Sequence, residues 1–265
     1  MINIDKVVIL AGGKGTRISE ETQTKPKPLV EIGGKPIIHH IMKIYSFYGV
    51  KKFYILAGYK SLDIKNYFIK ELYSKSDIQV NLKEGSIKKI KNKSLDWEVN
   101  IIETGEDSMT GGRLLRAKKY LEKDENFFMT YADCLSDINL KKLYKSHIES
   151  RKIATVTGIV QNNRFGAITV DGNKVKSFSE KPIAKNSLIS GGFFIFSNKI
   201  FNYLKNDKTI LEKEPLSNLA KKNELNCYAH KDFWHPMDNL REKNNLEEMW
   251  KSNKAPWKQK NYINI

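Results

Sequence analysis

An α/β fold with a mixed, mainly parallel central sheet and helices on both faces is what this sequence predicts. Three observations carry that expectation. Over the first 72 residues, short apolar runs alternate with segments of helical periodicity, the pattern of strands joined by crossover helices. The first apolar run, Val7 to Ala11, passes directly into a glycine-rich loop, Gly12-Gly13-Lys14-Gly15-Thr16-Arg17. Residues 153–196 are rich in β-prone stretches, which adds a small β-rich insertion to the plan. The chain has 265 residues, 40% hydrophobic and 29% charged, which suits one large domain of this class.

Each element has its own reason. Val7–Ala11 is short and apolar enough for a buried strand. Pro36 to Gly49 predicts a helix: Ile37, Ile38, Ile41, Met42, Ile44, Tyr45 and Tyr48 recur at three- and four-residue spacing, Pro36 suits the first turn and Gly49 the stop. Lys52–Ala57 is the next strand, and a helix follows near Ser61–Leu72. Residues 78–103 hold two weaker strands around a lysine-rich loop, Lys88 to Lys93. Gly112–Leu121 reads as a helix, Asn126–Tyr131 as a strand and Leu140–Ser150 as a helix, with Asp137 its expected N-cap. Strands are expected at Ile153–Val160, Ala167–Val170, Lys174–Phe178 and Ile189–Phe196, with a hairpin turn at Gly172-Asn173. A helix near Glu214–Lys222, a strand near Leu225–Ala229 and a helix near Leu240–Lys251 form a C-terminal extension. No internal repeat and no Pro/Gly/Ser-rich linker divides the chain, so residues 1–265 read as a single domain.

Composition excludes several classes. No apolar stretch spans a bilayer and no signal-peptide pattern opens the chain, so a cytoplasmic protein without membrane insertion is expected. Cys134 and Cys227 form no disulfide framework and lack the Cys-x-x-Cys spacing of a zinc site. The net charge of +16 suggests nucleic acid, but only six of the 46 basic residues are arginine and the lysines are spread along the whole chain. Four arginines, Arg17, Arg113, Arg164 and Arg241, fall in distinctive segments instead, where planar forks suit phosphate. Nucleic-acid binding is therefore not expected, and the basic surface suits anionic substrates.

The loop Gly12–Arg17 has the chemistry of a polyphosphate cradle. Glycines let N–H groups and phosphates approach closely, and Arg17 ends the loop with a fork. Lys27, between Pro26 and Pro28, adds a second cation on a stiff segment. The spacings of a P-loop and of a dinucleotide fingerprint are both absent. Asp133 directly follows a strand, where a carboxylate can hold a metal beside a phosphate; a turn or N-cap role fits the position equally. Asp238, in Phe233-Trp234-His235-Pro236-Met237-Asp238, admits the same two readings. Lys181 before Pro182 is held extended. Gly191-Gly192 entering an apolar strand suits a close approach, such as that of a sugar ring. Thr104-Gly105 and Thr110-Gly111-Gly112-Arg113, at a helix start, form another edge that could face an anion or a base.

In this order these segments resemble the sugar-phosphate nucleotidylyltransferases, over about residues 5–258. The resemblance implies a Rossmann-like, nucleotide-diphospho-sugar transferase fold. Its closest likeness is to members using CTP and α-D-glucose 1-phosphate, through Ser19-Glu20-Glu21-Thr22, Val30 to Pro36, Ser108 to Leu114, Arg164-Phe165-Gly166-Ala167, Phe233 to Arg241 and Lys254-Ala255-Pro256-Trp257. It implies transfer of CMP to give CDP-glucose and pyrophosphate, for deoxysugars of surface polysaccharide. It further implies Mg²⁺ held by Asp133 and Asp238, and a homo-oligomer. Leu10, Ala11, Gly12, Gly13, Gly15, Thr16, Arg17, Lys27, Thr104, Arg113 and Asp133 would bind the nucleotide, with Arg113 closing over it. Arg17, Lys27, Asp133 and Asp238 would be catalytic. Gly166, Glu180, Lys181, Gly191 and Gly192 would face the sugar phosphate.

The chain departs from the family pattern at Ala132-Asp133-Cys134, at Ser190 before the double glycine and at His235 before Pro-Met-Asp. Two alternatives share the motif set: the same fold with another nucleotide or phosphorylated acceptor, and a non-catalytic nucleotide-binding relative. Intact Arg17, Lys27, Asp133, Lys181 and Asp238 argue against the second.

Overall fold

A seven-stranded sheet carries the molecule. The computed structural model describes residues 2–74, 76–91, 95–160, 167–171, 174–179 and 188–258. In chain order, β1 (Lys6–Ala11) leads through α1 (Ser19–Thr22) and a small hairpin, β2 (Glu31–Ile32) and β3 (Lys35–Pro36), to α2 (Ile37–Phe47). Next come β4 (Lys52–Ala57), α3 (Ser61–Ser74), a hairpin of β5 (Asp77–Asn81) and β6 (Ser86–Lys91), and β7 (Glu98–Glu103). Then follow α4 (Thr110–Arg116), α5 (Lys118–Leu121), β8 (Asn126–Tyr131), β9 (Cys134–Ser136) and α6 (Leu140–Ser150). β10 (Ala154–Val160), the pair β11 (Ala167–Asp171) and β12 (Lys174–Ser179), β13 (Leu188–Ser197), α7 (Glu214–Lys221), β14 (Leu225–His230), β15 (Trp234–Pro236) and α8 (Leu240–Lys251) complete the order.

The sheet runs β14-β10-β13-β8-β1-β4-β7. Within it β13 is antiparallel to both β8 and β10, and the other neighbours are parallel, as expected for a mixed, mainly parallel sheet. Strand alternation feeds two cores. Val7, Ile9 and Ala11 face a core with α2 residues such as Ile41 and Tyr45, Leu143 of α6 and Leu246 of α8. Val8 and Leu10 face the other core, with Leu114, Leu121, Phe201 and Leu219. Among the described residues, no helix is long and apolar enough to cross a membrane.

Three boundaries differ from expectation. Residues 78–103 carry three strands, not two, and Lys88 to Lys91 lie in β6 rather than in a loop. Alternation on a hairpin tolerates lysines, because a two-stranded ribbon leaves much of its surface solvated. The helix expected from Gly112 to Leu121 is two short helices that meet at Ala117. Asn139, not Asp137, caps α6, accepting the Lys142 amide at 3.0 Å. Asp137 instead lies 3.2 Å from Nε2 of His230. Burial pushes its carboxyl pKa up, against the opposing pull of His230.

Candidate active site

The parallel strands β1, β4 and β8 end together, and their C-terminal edge is where ligands of open α/β sheets bind. A cleft of about 590 Å³ opens there, lined by residues 10–17, Lys27 and Pro28, residues 106–110, Arg113, residues 131–133 and Lys208. The glycine-rich loop forms one wall. Gly15 has φ +64°, and a Cβ on it would stand 3.1 Å from the Lys27 Cβ, so glycine serves both the turn and the close passage of Lys27.

Two carboxylates distant in sequence meet in this cleft because β9 and β15 pair antiparallel. Cys134 faces Pro236, and the Met237 amide donates to the Asp133 carbonyl at 2.8 Å. Asp133 before one strand and Asp238 after the other therefore share one end of the ribbon. Lys27 Nζ lies between them, 3.0 Å from Asp133 Oδ2 and 2.8 Å from Asp238 Oδ1. Burial of Lys27 pulls its pKa down, but the two aspartates outweigh it and the net shift is upward. Arg17 Nη1 donates to Asp238 Oδ2 at 2.7 Å, and its side chain stays 71% exposed. The four residues expected to be catalytic thus form one cluster. Asp238 is not a helix cap: Asn239 caps α8, accepting the Glu242 amide at 3.0 Å.

The second edge is held together by bonds within the chain. Thr104 is fully buried, and its hydroxyl donates to the Ala57 carbonyl at 2.6 Å. Arg113 lines the cleft and is held there by the chain itself. Its guanidinium is buried and donates to Thr104 Oγ1 and the Gly105 carbonyl, both at 2.6 Å, and to the carbonyls of Gly12 at 2.9 Å and Glu106 at 3.0 Å. It braces the glycine loop from behind. Burial, then Arg116, lowers its pKa. The start of α4 is tied to the loop that follows Asn206. The amides of Gly111 and Gly112 donate to the Thr209 carbonyl at 2.9 and 3.1 Å, and the Met109 amide to the Asp207 carbonyl at 2.8 Å.

On the acceptor side, Gly191 and Gly192 answer to neighbours within the chain. A Cβ on Gly191 would stand 2.5 Å from Ile159, and one on Gly192, at φ +78°, 2.7 Å from the Tyr131 ring. These side chains pack closely against the double glycine. Gly166, Glu180 and Lys181 lie outside the described residues, as does the Gly172-Asn173 turn. Cys134 is buried, and burial followed by Asp133 drives its pKa well up, so the thiol stays neutral.

Sequence reasoning missed the loop at 205–212. Lys208 reaches the cleft, Asp207 pairs with Arg116 at 2.6 Å, and Glu212 accepts from Thr110 Oγ1 at 2.6 Å and from the Tyr131 hydroxyl. No local pattern marks that docking. Glu242 was legible through Asn239-x-x-Glu242, the spacing of a capping box.

A glycine loop at a parallel sheet edge, two convergent carboxylates and two cations define a nucleotide-handling transferase. The chain belongs to the nucleotidyl transferase family, whose model matches residues 6–237. The glucose-1-phosphate cytidylyltransferase of Salmonella typhi is 46% identical over 253 residues, covering 96% of this chain and 98% of its own. A Bacillus subtilis protein described as a probable glucose-1-phosphate cytidylyltransferase is 44% identical, over 96% of this chain and 99% of its own. Among solved structures, HddC from Yersinia pseudotuberculosis superposes with a TM-score of 0.68 at 25% identity, over 93% of this chain and all of its own. The fold is thus that of the nucleotide-diphospho-sugar transferases.

Proposed function

We propose that the protein transfers CMP from CTP to α-D-glucose 1-phosphate, giving CDP-glucose and releasing pyrophosphate. The observation that carries this reading is the convergence of Arg17, Lys27, Asp133 and Asp238 beside the glycine loop, in a chain 46% identical to a glucose-1-phosphate cytidylyltransferase along nearly its whole length.

A phosphate oxygen of the sugar phosphate attacks the α-phosphorus of CTP, and the bond to the β,γ-diphosphate breaks opposite. The nucleophile is already an anion at neutral pH, so no general base is needed, and rate comes from positioning and charge neutralisation. Lys27, held charged by its two aspartates, neutralises the nucleotide phosphates. The exposed fork of Arg17 holds the departing pyrophosphate. Arg113 fixes the loop that forms the cleft wall. Glu106 and Asp107 are acceptors on that wall, suited to the exocyclic amine of cytosine. Lys181 grips the sugar phosphate, and its change to Ala should raise KM for sugar phosphate more than for CTP.

The residues fit a divalent cation. Asp133 and Asp238 direct one oxygen each at a single cationic point, now held by the Lys27 ammonium, and both side chains stay part-exposed, with Asp133 lining the cleft. Among the described residues no cluster of three or more His, Cys, Asp and Glu offers an all-protein cage. Two carboxylates plus substrate phosphates are what Mg²⁺ receives. When bound, the ion would offset phosphate charge in the transition state. We place the reaction in the cytoplasm of the cell, catalysed by a homo-oligomer.

The test is pyrophosphate release with glucose 1-phosphate across the four nucleoside triphosphates. Polar mismatch at a base discriminates strongly, so kcat/KM for CTP should exceed that for UTP on the order of a hundredfold or more, with purine nucleotides poorer still. Comparable rates with UTP would remove the cytidylyl assignment.

A further inference from the structure

We propose that Glu242 is a positioning residue that fixes the metal-binding carboxylate of Asp238. The inference rests on the reading of Asp238 as a metal ligand. Glu242 lies in the first turn of α8 and is only 6% exposed. Its Oε2 accepts the main-chain amide of Asp238 at 2.7 Å, while its own amide donates to Asn239 Oδ1 at 3.0 Å. In an ordinary capping box the glutamate returns to the amide of the cap residue itself. Here it reaches one residue further back, to the residue that carries the reactive carboxylate.

The consequence is a peptide held on both sides. The Met237 amide is tied to the Asp133 carbonyl at 2.8 Å, and the Asp238 amide is tied to Glu242. Both anchored amides stand just before the Asp238 Cα, and its carboxylate meets Lys27 and Arg17. Lys243, the next residue of α8, pairs with Glu21 of α1 at 2.6 Å and so fastens the start of α8 to the segment that follows Arg17. Burying a carboxylate is costly unless it is hydrogen-bonded. This buried one spends an oxygen on the amide of Asp238. Partners that orient a ligating carboxylate set metal affinity as well as geometry.

The experiment is a Mn²⁺ titration followed by electron paramagnetic resonance, with CTP present and read against CTP without protein, on the full chain and on variants at two positions. Mn²⁺ should bind the wild type. Glu242→Ala should weaken Mn²⁺ binding by about tenfold or more, the usual cost of losing such a partner. It should also raise the Mg²⁺ concentration for half-maximal pyrophosphate release. Glu242→Gln keeps an acceptor oxygen and should restore most of the affinity. Glu242→Asp, too short to reach, guards against misfolding of the alanine variant and should bind Mn²⁺ weakly. Leu246→Ala, a core residue one turn further along α8, disturbs the same helix without touching Asp238 or Glu242; it should lower Tm and leave Mn²⁺ affinity unchanged. Wild-type affinity in both Glu242→Ala and Glu242→Asp would overturn the proposal. So would equal weakening by Leu246→Ala, or a Glu242→Gln protein as weak as Glu242→Ala. Failure of the wild type to bind Mn²⁺ would overturn the metal reading and the proposal together, and is thereby told apart from failure of the positioning alone.

Discussion

Two glycine-rich segments of this chain end in arginine, and they do opposite work. Gly12 to Arg17 leaves β1 and opens into the cleft, with the Arg17 side chain 71% exposed and aimed at Asp238. Thr110 to Arg113 begins α4, with Arg113 only 5% exposed and four of its hydrogen bonds spent on the chain itself. Composition does not separate them. What separates them is where the chain packs on them: Gly12 and Gly15 are met by Arg113 and Lys27, Gly13 faces open space, and both glycines of the second segment are covered. At Gly111 and Gly112 the loop at 205–212 provides the cover: a Cβ on Gly112 would stand 2.3 Å from the Asp207 carbonyl oxygen. At Gly13 nothing lies within 4 Å. In the first segment the open space is therefore at Gly13, while Gly111 and Gly112 leave none.

The largest effects should fall on the open loop and its carboxylates. Asp133→Ala and Asp238→Ala should each abolish turnover with the fold retained, as read by pyrophosphate release and circular dichroism. Arg17→Ala should lower kcat by on the order of a hundredfold or more, as loss of a charge-stabilising donor does. Its Tm should stay unchanged, because exposed ion pairs contribute little.

Arg113 should behave in the reverse sense. Arg113→Met leaves the Thr104 hydroxyl and the carbonyls of Gly12, Gly105 and Glu106 short of a donor. Urea unfolding should show a loss of about 3 kcal/mol, since buried acceptors left unpaired cost roughly 1–3 kcal/mol each and part of the site can rewet. Arg113→Lys should not restore it, because an ammonium cannot reproduce the fork.

The glycines give the smallest contrast. Gly112→Ala should cost about 1–3 kcal/mol through overpacking against Asp207. Gly13→Ala should cost under ~0.5 kcal/mol in stability, as open surface positions do. Its effect should appear instead as a raised KM for CTP. An unstable Gly13→Ala protein, or a stable Gly112→Ala protein, would erase the distinction between the two loops.

The same contrast explains what the sequence could and could not reveal. The cradle was legible because its signals are local: an apolar strand, glycines, then Arg17, and a lysine stiffened by Pro26 and Pro28. Asp133 was legible from its place at the end of β8. The β9–β15 pairing that brings Asp238 to it is long-range, yet aromatic and proline residues mark the segment. The role of Arg113 was not legible. Its carbonyl partner at Gly12 is 101 residues away, and the loop tied to the start of α4 is almost as far along the chain in the other direction. The internal bond of Thr104 was hidden for the same reason, since a threonine after a strand looks alike whether it faces solvent or the Ala57 carbonyl. Lys88 to Lys91 illustrates a different limit: charge suggested a loop, while hairpin pairing with β5 decided the structure.

The most direct test is hydrogen–deuterium exchange with and without CTP and Mg²⁺. Exchange reports the opening of individual hydrogen-bonded units. Amides in the segment 12–17 should slow when nucleotide is added, because phosphate oxygens would newly engage that loop. The amides of Gly111 and Gly112, already bonded to Thr209, should be slow from the outset and unchanged by nucleotide. Nucleotide-dependent protection at residues 111–113 with none at 12–17 would contradict the account.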